Sequence, residues 1–371
     1  MTGSDLLRRK MKGYDLYRYL KPIWNTDIIE NETFMFLGED DAAPFLLLPD
    51  EIVSVKNYFL NKDIGSENYG VENGKLVRKG NIPYYSIDEY YTSERGKYGI
   101  CVNERTANRY GFAEQRYLLY GEGDTFTKNQ IAVTYKTREK WKGFVPVGKQ
   151  DRLPSFTDKL LRKEKINLTF YGDSIMTGCN ASGTPMGGNT PPYMDAFPIL
   201  IKQFLEGVFG AEIVLFNVSQ GGWDTYQGRA AFEERVLPTS PDLLILGFGM
   251  NDSTTPLDEY GRMHREMIAK LKAQNADAEV VAVATTLPNT DSTWVQNQAM
   301  TLGVLEQIEK ENDCVAVADM TTMHESILCR KRYRDMTANN INHPNDFLGR
   351  IYAQVILKTI LGDRFESFYE S

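Results

Sequence analysis

Apolar and polar positions divide the chain into two textures. Up to about Trp141 the apolar positions come in short β-type runs: Thr33–Leu37, Phe45–Leu48, Lys75–Arg78, Gln115–Tyr120 and Gln130–Lys136. Turn residues separate them, as in Gly38-Glu39-Asp40-Asp41, Glu72-Asn73-Gly74 and Gly121-Glu122-Gly123-Asp124. No long stretch there has a helical period, and many short strands with regular turns predict a β-sandwich. From Ile166 the texture changes. Near-continuous apolar runs at Ile166–Tyr171, Glu212–Val218, Leu243–Phe248, Val280–Thr285 and Val315–Ala318 alternate with helical candidates. These candidates are Asp195–Val208, Tyr226–Val236, Leu257–Ala273, Thr293–Lys310 and Asp346–Leu361; in the third, Leu257, Tyr260, Met267, Ile268 and Leu271 fit one helical face. Such alternation predicts an α/β domain with a parallel sheet covered on both faces. The charged, proline-bearing stretch Phe144–Lys165 is a natural boundary, giving units 1–155 and 156–371.

In a parallel α/β sheet the ligand sits beyond the carboxyl ends of the strands, so chemistry is sought in the residues just after each run. The first run ends in Gly172-Asp173-Ser174. A serine at a strand-to-helix turn exposes its hydroxyl and places its N–H where negative charge is stabilised. The second ends in Gln220-Gly221-Gly222-Trp223-Asp224-Thr225, where glycines let backbone N–H groups approach a ligand. The third ends in Gly249-Met250-Asn251-Asp252, and the Asn251 amide can donate into the same crevice. Asn342-His343-Pro344 precedes the last helical candidate. A serine, three oxyanion donors and a histidine are the parts needed for acyl transfer.

Taken one at a time, these features have plainer readings. Ser174 suits a helix N-cap, Gly221 and Gly222 a turn, and Asn251 an Asx turn. Their joint occurrence outweighs these. Of the three histidines, His264 lies among Arg262, Arg265 and Glu266 and is expected to be solvated. His324 is expected to be structural, and only His343 has a motif around it.

Together the four segments resemble the sequence blocks of the SGNH (GDSL-type) hydrolase superfamily, in that family's order, over about Lys165 to Leu361. The resemblance implies a flavodoxin-like three-layer α/β/α domain, here behind a jelly-roll-like N-terminal β-sandwich. It implies Ser174 as nucleophile and His343 as general base and then acid. The Ser174 N–H, the Gly222 N–H and the Asn251 amide would form the oxyanion hole. The pairing of sandwich and hydrolase also resembles two-domain carbohydrate acetylesterases. There is one departure: three residues before the histidine, where the family has Asp, stands Asn340. A neutral amide can accept the Nδ1–H bond but cannot stabilise an imidazolium as a carboxylate does. Three arrangements stay open: a dyad oriented by Asn340 or a backbone carbonyl, replacement by Asp335 or Asp346, or a weak enzyme. The dyad is favoured, because relatives of the two-domain kind work with a backbone carbonyl in that role.

Composition narrows the partners. A net charge of −8 lacks the basic footprint that nucleic acid requires, and no apolar run reaches the ~18–20 residues that span a bilayer. The N-terminus has basic residues but no apolar signal core. Cys101, Cys179, Cys314 and Cys329 form no CxxC pair and read as free thiols of a cytoplasmic protein, although a secreted chain trimmed of its signal would look the same. No metal or other cofactor is expected, since HExxH, Cys/His clusters and dinucleotide fingerprints are all absent from the sequence. The pattern leaves oligomeric state open.

The loop after Ser174, through Gly183, Gly187, Gly188, Pro191 and Pro192, is small and polar. It suits a short acyl group on a polar alcohol better than a lipid chain, with Trp223 as a wall or stacking face. The expected substrate is a small-molecule or oligosaccharide ester, and the expected reaction is O-deacetylation of a carbohydrate. The rival readings are a lysophospholipase or thioesterase on the same machinery, and a glycan-binding protein whose hydrolase site has decayed.

Overall fold

The structure, a computed structural model, describes residues 14–370; residues 1–13, part of the N-terminal stretch that lacks an apolar signal core, lie outside them. Strands β1 (Ile28–Leu37), β2 (Ala42–Pro44), β3 (Glu51–Asn57), β4 (Lys62–Asp63), β5 (Tyr69–Glu72), β6 (Lys75–Arg78), β7 (Tyr84–Tyr85), β8 (Tyr91–Thr92), β9 (Tyr117–Leu118) and β10 (Gln130–Lys136) occupy the first half. They form a five-stranded sheet of order β4-β3-β10-β1-β7, a three-stranded sheet β2-β6-β5 and the pair β8-β9. Phe45–Leu48 is not a strand. Its amides are taken by side chains: Leu46 N–H by Glu32, Leu47 N–H by the Tyr135 hydroxyl and Leu48 N–H by Glu139, at 2.9, 3.2 and 2.7 Å.

The second half is α/β. Strands β11 (Lys165–Gly172), β12 (Glu212–Asn217), β13 (Leu243–Gly247), β14 (Glu279–Ala284) and β15 (Val315–Asp319) pair in parallel in the order β12-β11-β13-β14-β15. Among the helices that flank them are α1 (Phe197–Phe209), α2 (Thr225–Arg235), α3 (Leu257–Gln274), α4 (Thr301–Glu311), α5 (Met320–Leu328) and α6 (Asp346–Leu361). The strands read as continuous apolar runs because both faces are buried. Ile166, Leu168, Phe170, Ile245 and Val281 join α1, α5 and α6 in one core. Tyr171, Leu244, Leu246, Val280 and Val317 join α2, α3 and α4 in another. Helix α4 begins later than the periodicity predicts. The Gln298 side chain bonds the Gln296 N–H and the Trp294 carbonyl instead, at 2.7 and 3.1 Å, which folds the preceding residues into an irregular turn.

The first core also crosses the expected boundary at 155/156, since Ile29, Phe34, Phe36 and Val133 of the N-terminal sheet share it with Phe347 and Ile351 of α6. Beside it lies a buried ionic group. Lys331 pairs with Glu32, both side chains being 0% exposed. Arg332 holds Asp335 and Asp41 at 2.8 and 2.6 Å, and Arg334 holds Asp41 at 3.0 Å. Tyr85, Tyr90, Tyr91 and Tyr110 lie in or beside a third cluster with Met35, Leu118 and Phe126. All four cysteines carry free thiols. Among the described residues no helix is long and apolar enough to cross a membrane, and no cluster of His, Cys, Asp and Glu could hold a metal ion.

Candidate active site

The strand order places a topological switch point between β11 and β13, where sheets of this order bind ligands. Gly172 closes β11 opposite Gly247 of β13. A side chain there would put its first carbon 2.0 Å from the Gly247 carbonyl oxygen, so only glycine fits. Asp173 then turns the chain: its carboxylate accepts the Ile175 N–H at 2.8 Å, and burial pushes its carboxyl up to about 7. Ser174 is left on this turn with its hydroxyl 2.8 Å from His343 Nε2.

His343 sits on an asparagine-built loop. The Asn339 side-chain carbonyl oxygen accepts the N–H groups of Ile341, Asn342 and His343, each at 3.0 Å. Asn345 caps α6, accepting from Phe347 and Leu348. Its amide ties the loop to the N-terminal sheet by bonds to Thr33 Oγ1 and Gln130 Oε1 at 3.0 and 3.2 Å.

The glycine block lies alongside. A side-chain carbon on Gly221 would stand 3.6 Å from Ser174 Cβ, and Gly222 has a φ of 79°, in the left-handed region. The Gln220 N–H bonds the Gly172 carbonyl at 2.9 Å, fixing this block to the end of β11. Asn251 donates one amide hydrogen to the Trp223 carbonyl at 3.0 Å, leaving the second for another acceptor. The Trp223 ring packs against the second core, and the Arg235 guanidinium lies 4.5 Å over it.

Asn340 is not the residue that orients His343. Its side-chain carbonyl oxygen accepts from Tyr90 OH and Asn289 Nδ2 at 2.5 and 2.9 Å, and its Nδ2 donates to the Leu119 carbonyl at 2.9 Å. A φ of 67° turns it away from the ring, a conformation asparagine tolerates. Asp335 is committed to its arginine and to the Met35 N–H, and Asp346 accepts the Ser182 N–H at 2.8 Å. Three other groups face Nδ1: Asn180 Oδ1 at 2.6 Å, Cys179 Sγ at 3.4 Å and Glu122 Oε1 at 3.5 Å.

Glu122 comes from the N-terminal half, in a segment that reads as turn punctuation. Gly123 beside it has a φ of 66°, in the left-handed region, and its N–H bonds the Met186 carbonyl of the post-serine loop at 2.9 Å. An acidic residue between two glycines is the only trace of it in the sequence, and nothing there ties it to His343. Burial works against the imidazolium, but the Cys179 sulfur and the Glu122 carboxylate outweigh it and hold His343 above the usual imidazole value. Burial likewise disfavours the Glu122 carboxylate, and its contact with His343 reverses this, holding it below the usual range.

The other histidines are buried. His264, expected in solvent, packs on Tyr260 with Nδ1 2.9 Å from that residue's carbonyl, and burial pushes it down to about 4. His324 Nδ1 accepts the Leu287 N–H at 3.1 Å. The cleft lined by Tyr19, Tyr58, Gln130 and Arg350 shares Asn180 and Ser182 with this region but contains neither Ser174 nor His343.

A hydroxyl bonded to an imidazole at the switch point of such a sheet, with a glycine pair beside it, is the arrangement of a nucleophile and its base. Residues 170–347 match the model of the GDSL-like Lipase/Acylhydrolase family. Among solved structures the chain is similar to a two-domain esterase (CEX) active on acetylated mannans, co-crystallised with mannopentaose. The identity is 21% and the TM-score 0.48, over 61% of this chain and 56% of that one. It is also similar to Axe2, an acetylxylan esterase from Geobacillus stearothermophilus, at 20% identity and a TM-score of 0.44, over 53% of this chain and 94% of that one. No protein of curated function matches the chain.

Proposed function

We propose that the protein hydrolyses short-chain acyl esters, chiefly O-acetyl esters of a carbohydrate, through an acyl-enzyme on Ser174. The 2.8 Å contact between Ser174 Oγ and His343 Nε2 carries this reading. His343 takes the hydroxyl proton as Ser174 attacks the ester carbonyl. The Ser174 N–H, the Gly222 N–H and the free Asn251 amide hydrogen receive the oxyanion. The alcohol leaves with the proton from His343, and water repeats the sequence to release acetate. An acetyl-sized acyl group is supported by the post-serine loop, where Ala181, Ser182, Gly183 and Gly187 stand in place of the large apolar side chains that suit a long acyl chain. A sugar alcohol is supported by aromatic surface near His343: exposed Tyr98 stands edge-on to Tyr120, with ring centres 4.6 Å apart, and Tyr120 bonds Glu122. In this reading the N-terminal half serves as the expected β-sandwich unit and shapes the cleft.

The test is acetate release from acetylated oligosaccharides and aryl esters of graded acyl length by wild type and Ser174→Ala. Release confined to wild type and falling steeply beyond short acyl groups is the expected result. Equal traces from both proteins would remove Ser174 as nucleophile, and a preference for long chains would remove the acetyl reading.

A further inference from the structure

We propose that the work of the usual third catalytic carboxylate is divided here between two positioning residues, Asn180 orienting the His343 ring and Glu122, reaching across from the N-terminal half, supplying the charge. The inference rests on the serine-esterase reading above.

Geometry separates the two tasks. Asn180 Oδ1 is 2.6 Å from Nδ1, a direct hydrogen bond. Its amide face is assigned by the other end, where Nδ2 donates to the Met186 carbonyl at 3.0 Å. An oxygen fixed on Nδ1 keeps the proton there and leaves Nε2 free to accept from Ser174. A neutral amide adds no charge for the imidazolium that forms in the transition state. Glu122 Oε1, at 3.5 Å, is too long for a good hydrogen bond but well within ion-pair range.

The surroundings of Glu122 favour a role toward His343 over one in holding its own loop. Oε1 accepts from Tyr120 OH at 2.6 Å and from Asn339 Nδ2 at 3.4 Å, so its position is set from both halves of the chain. Oε2 is buried with no hydrogen-bond partner. A carboxylate oxygen buried without a partner is costly unless a cation faces the group, and protonated His343 is that cation. The other ionisable groups facing His343 are Cys179, at 3.4 Å on the same edge, and Asp173, which interacts with it through space from beneath Ser174. Neither varies in the comparison of wild type with Glu122→Gln.

An anion beside Nδ1 raises the His343 pKa, and only the neutral ring can take the serine proton. Removing the anion lowers that pKa, so the acid limb of kcat/KM moves to lower pH. An opposite charge at this range shifts a pKa by about 1–3 units. The transition state carries the same imidazolium, so the plateau rate should fall by at most about 10–10³-fold. That is less than the ~10⁴-fold lost when a triad's tautomer is wrong, because Asn180 still holds the ring.

The experiment is the pH profile of kcat/KM on a short aryl ester for wild type, Glu122→Gln and Asn180→Gly. Labelling of Ser174 by a serine-reactive phosphonate is followed across the same pH series. Glu122→Gln should shift the acid limb down by about 1–3 pH units with a reduced plateau. Asn180→Gly, which keeps the left-handed backbone (φ 67°), should lose turnover without that downward shift. If Glu122→Gln fails to fold, Glu122→Ala with added formate serves: restored activity supports the assignment, and none overturns it. A Glu122→Gln limb and plateau that coincide with wild type overturn the division, while Ser174-dependent labelling leaves the esterase standing. Labelling that persists in Ser174→Ala removes the esterase reading itself.

Discussion

Ser174 is an ordinary hydroxyl until its neighbours are counted. Glycine at 172 lets β11 and β13 close to contact, Asp173 turns the chain, and His343 meets the hydroxyl at 2.8 Å. Asn251 is the donor whose removal is easiest to interpret, because it is only partly buried and is anchored at one hydrogen by the Trp223 carbonyl. Asn251→Ala is expected to lower kcat by about 10²–10³ with little change in KM, as for the loss of a single oxyanion donor. Steady-state kinetics on an aryl acetate would check it. A loss confined to KM would place Asn251 in ground-state binding instead.

At the scale of elements, helix α6 and the loop before it set where the imidazole stands. Asn345 caps the helix two residues after His343 and bonds the N-terminal sheet through Thr33 and Gln130. Replacing it by Ala removes a cap and leaves buried acceptors unpaired, for an expected cost of about 2–4 kcal/mol. Asn345→Ser keeps the cap and loses only the ties, so it should recover about 1 kcal/mol. Urea unfolding of both variants would measure this. Equal destabilisation by Ala and Ser would mean that the ties to the sheet, not the cap, do the holding.

Over the whole molecule the two halves share one apolar core and one buried ionic group, so the N-terminal half cannot be treated as a detachable appendage. Lys331 and Glu32 come from opposite halves and are both fully buried. Lys331→Met strands the Glu32 charge and is expected to cost about 3–5 kcal/mol. Adding Glu32→Gln should recover most of that loss, because the neutral amide no longer needs a cation. A double variant no more stable than Lys331→Met would show that the pair stabilises by more than mutual neutralisation. The loop bearing Glu122 crosses the same junction, so a weakened junction should also depress turnover per folded molecule.

Much of the second half was legible because its signals are local. Apolar runs buried on both faces read as parallel strands, and each candidate group but one sits where its strand or loop ends. Ser174 and the glycine pair meet because the parallel topology gathers the strand ends at one edge, and the loop before α6 brings His343 to the serine. Phe45–Leu48 misread because its amides bond side chains distant in sequence, and His264 because a charged stretch of helix can still bury one face. Asn340 was read from its spacing to His343, but spacing says nothing of which way a side chain turns at φ 67°. The groups that face Nδ1 were settled by packing between halves. Glu122 comes within 3.5 Å of His343 because its loop is tied to the other half, through the Gly123 bond to the Met186 carbonyl and the Asn339 bond to its carboxylate. No periodicity or motif records such a contact, since its cause is the shared core and not the order of residues on either side of it.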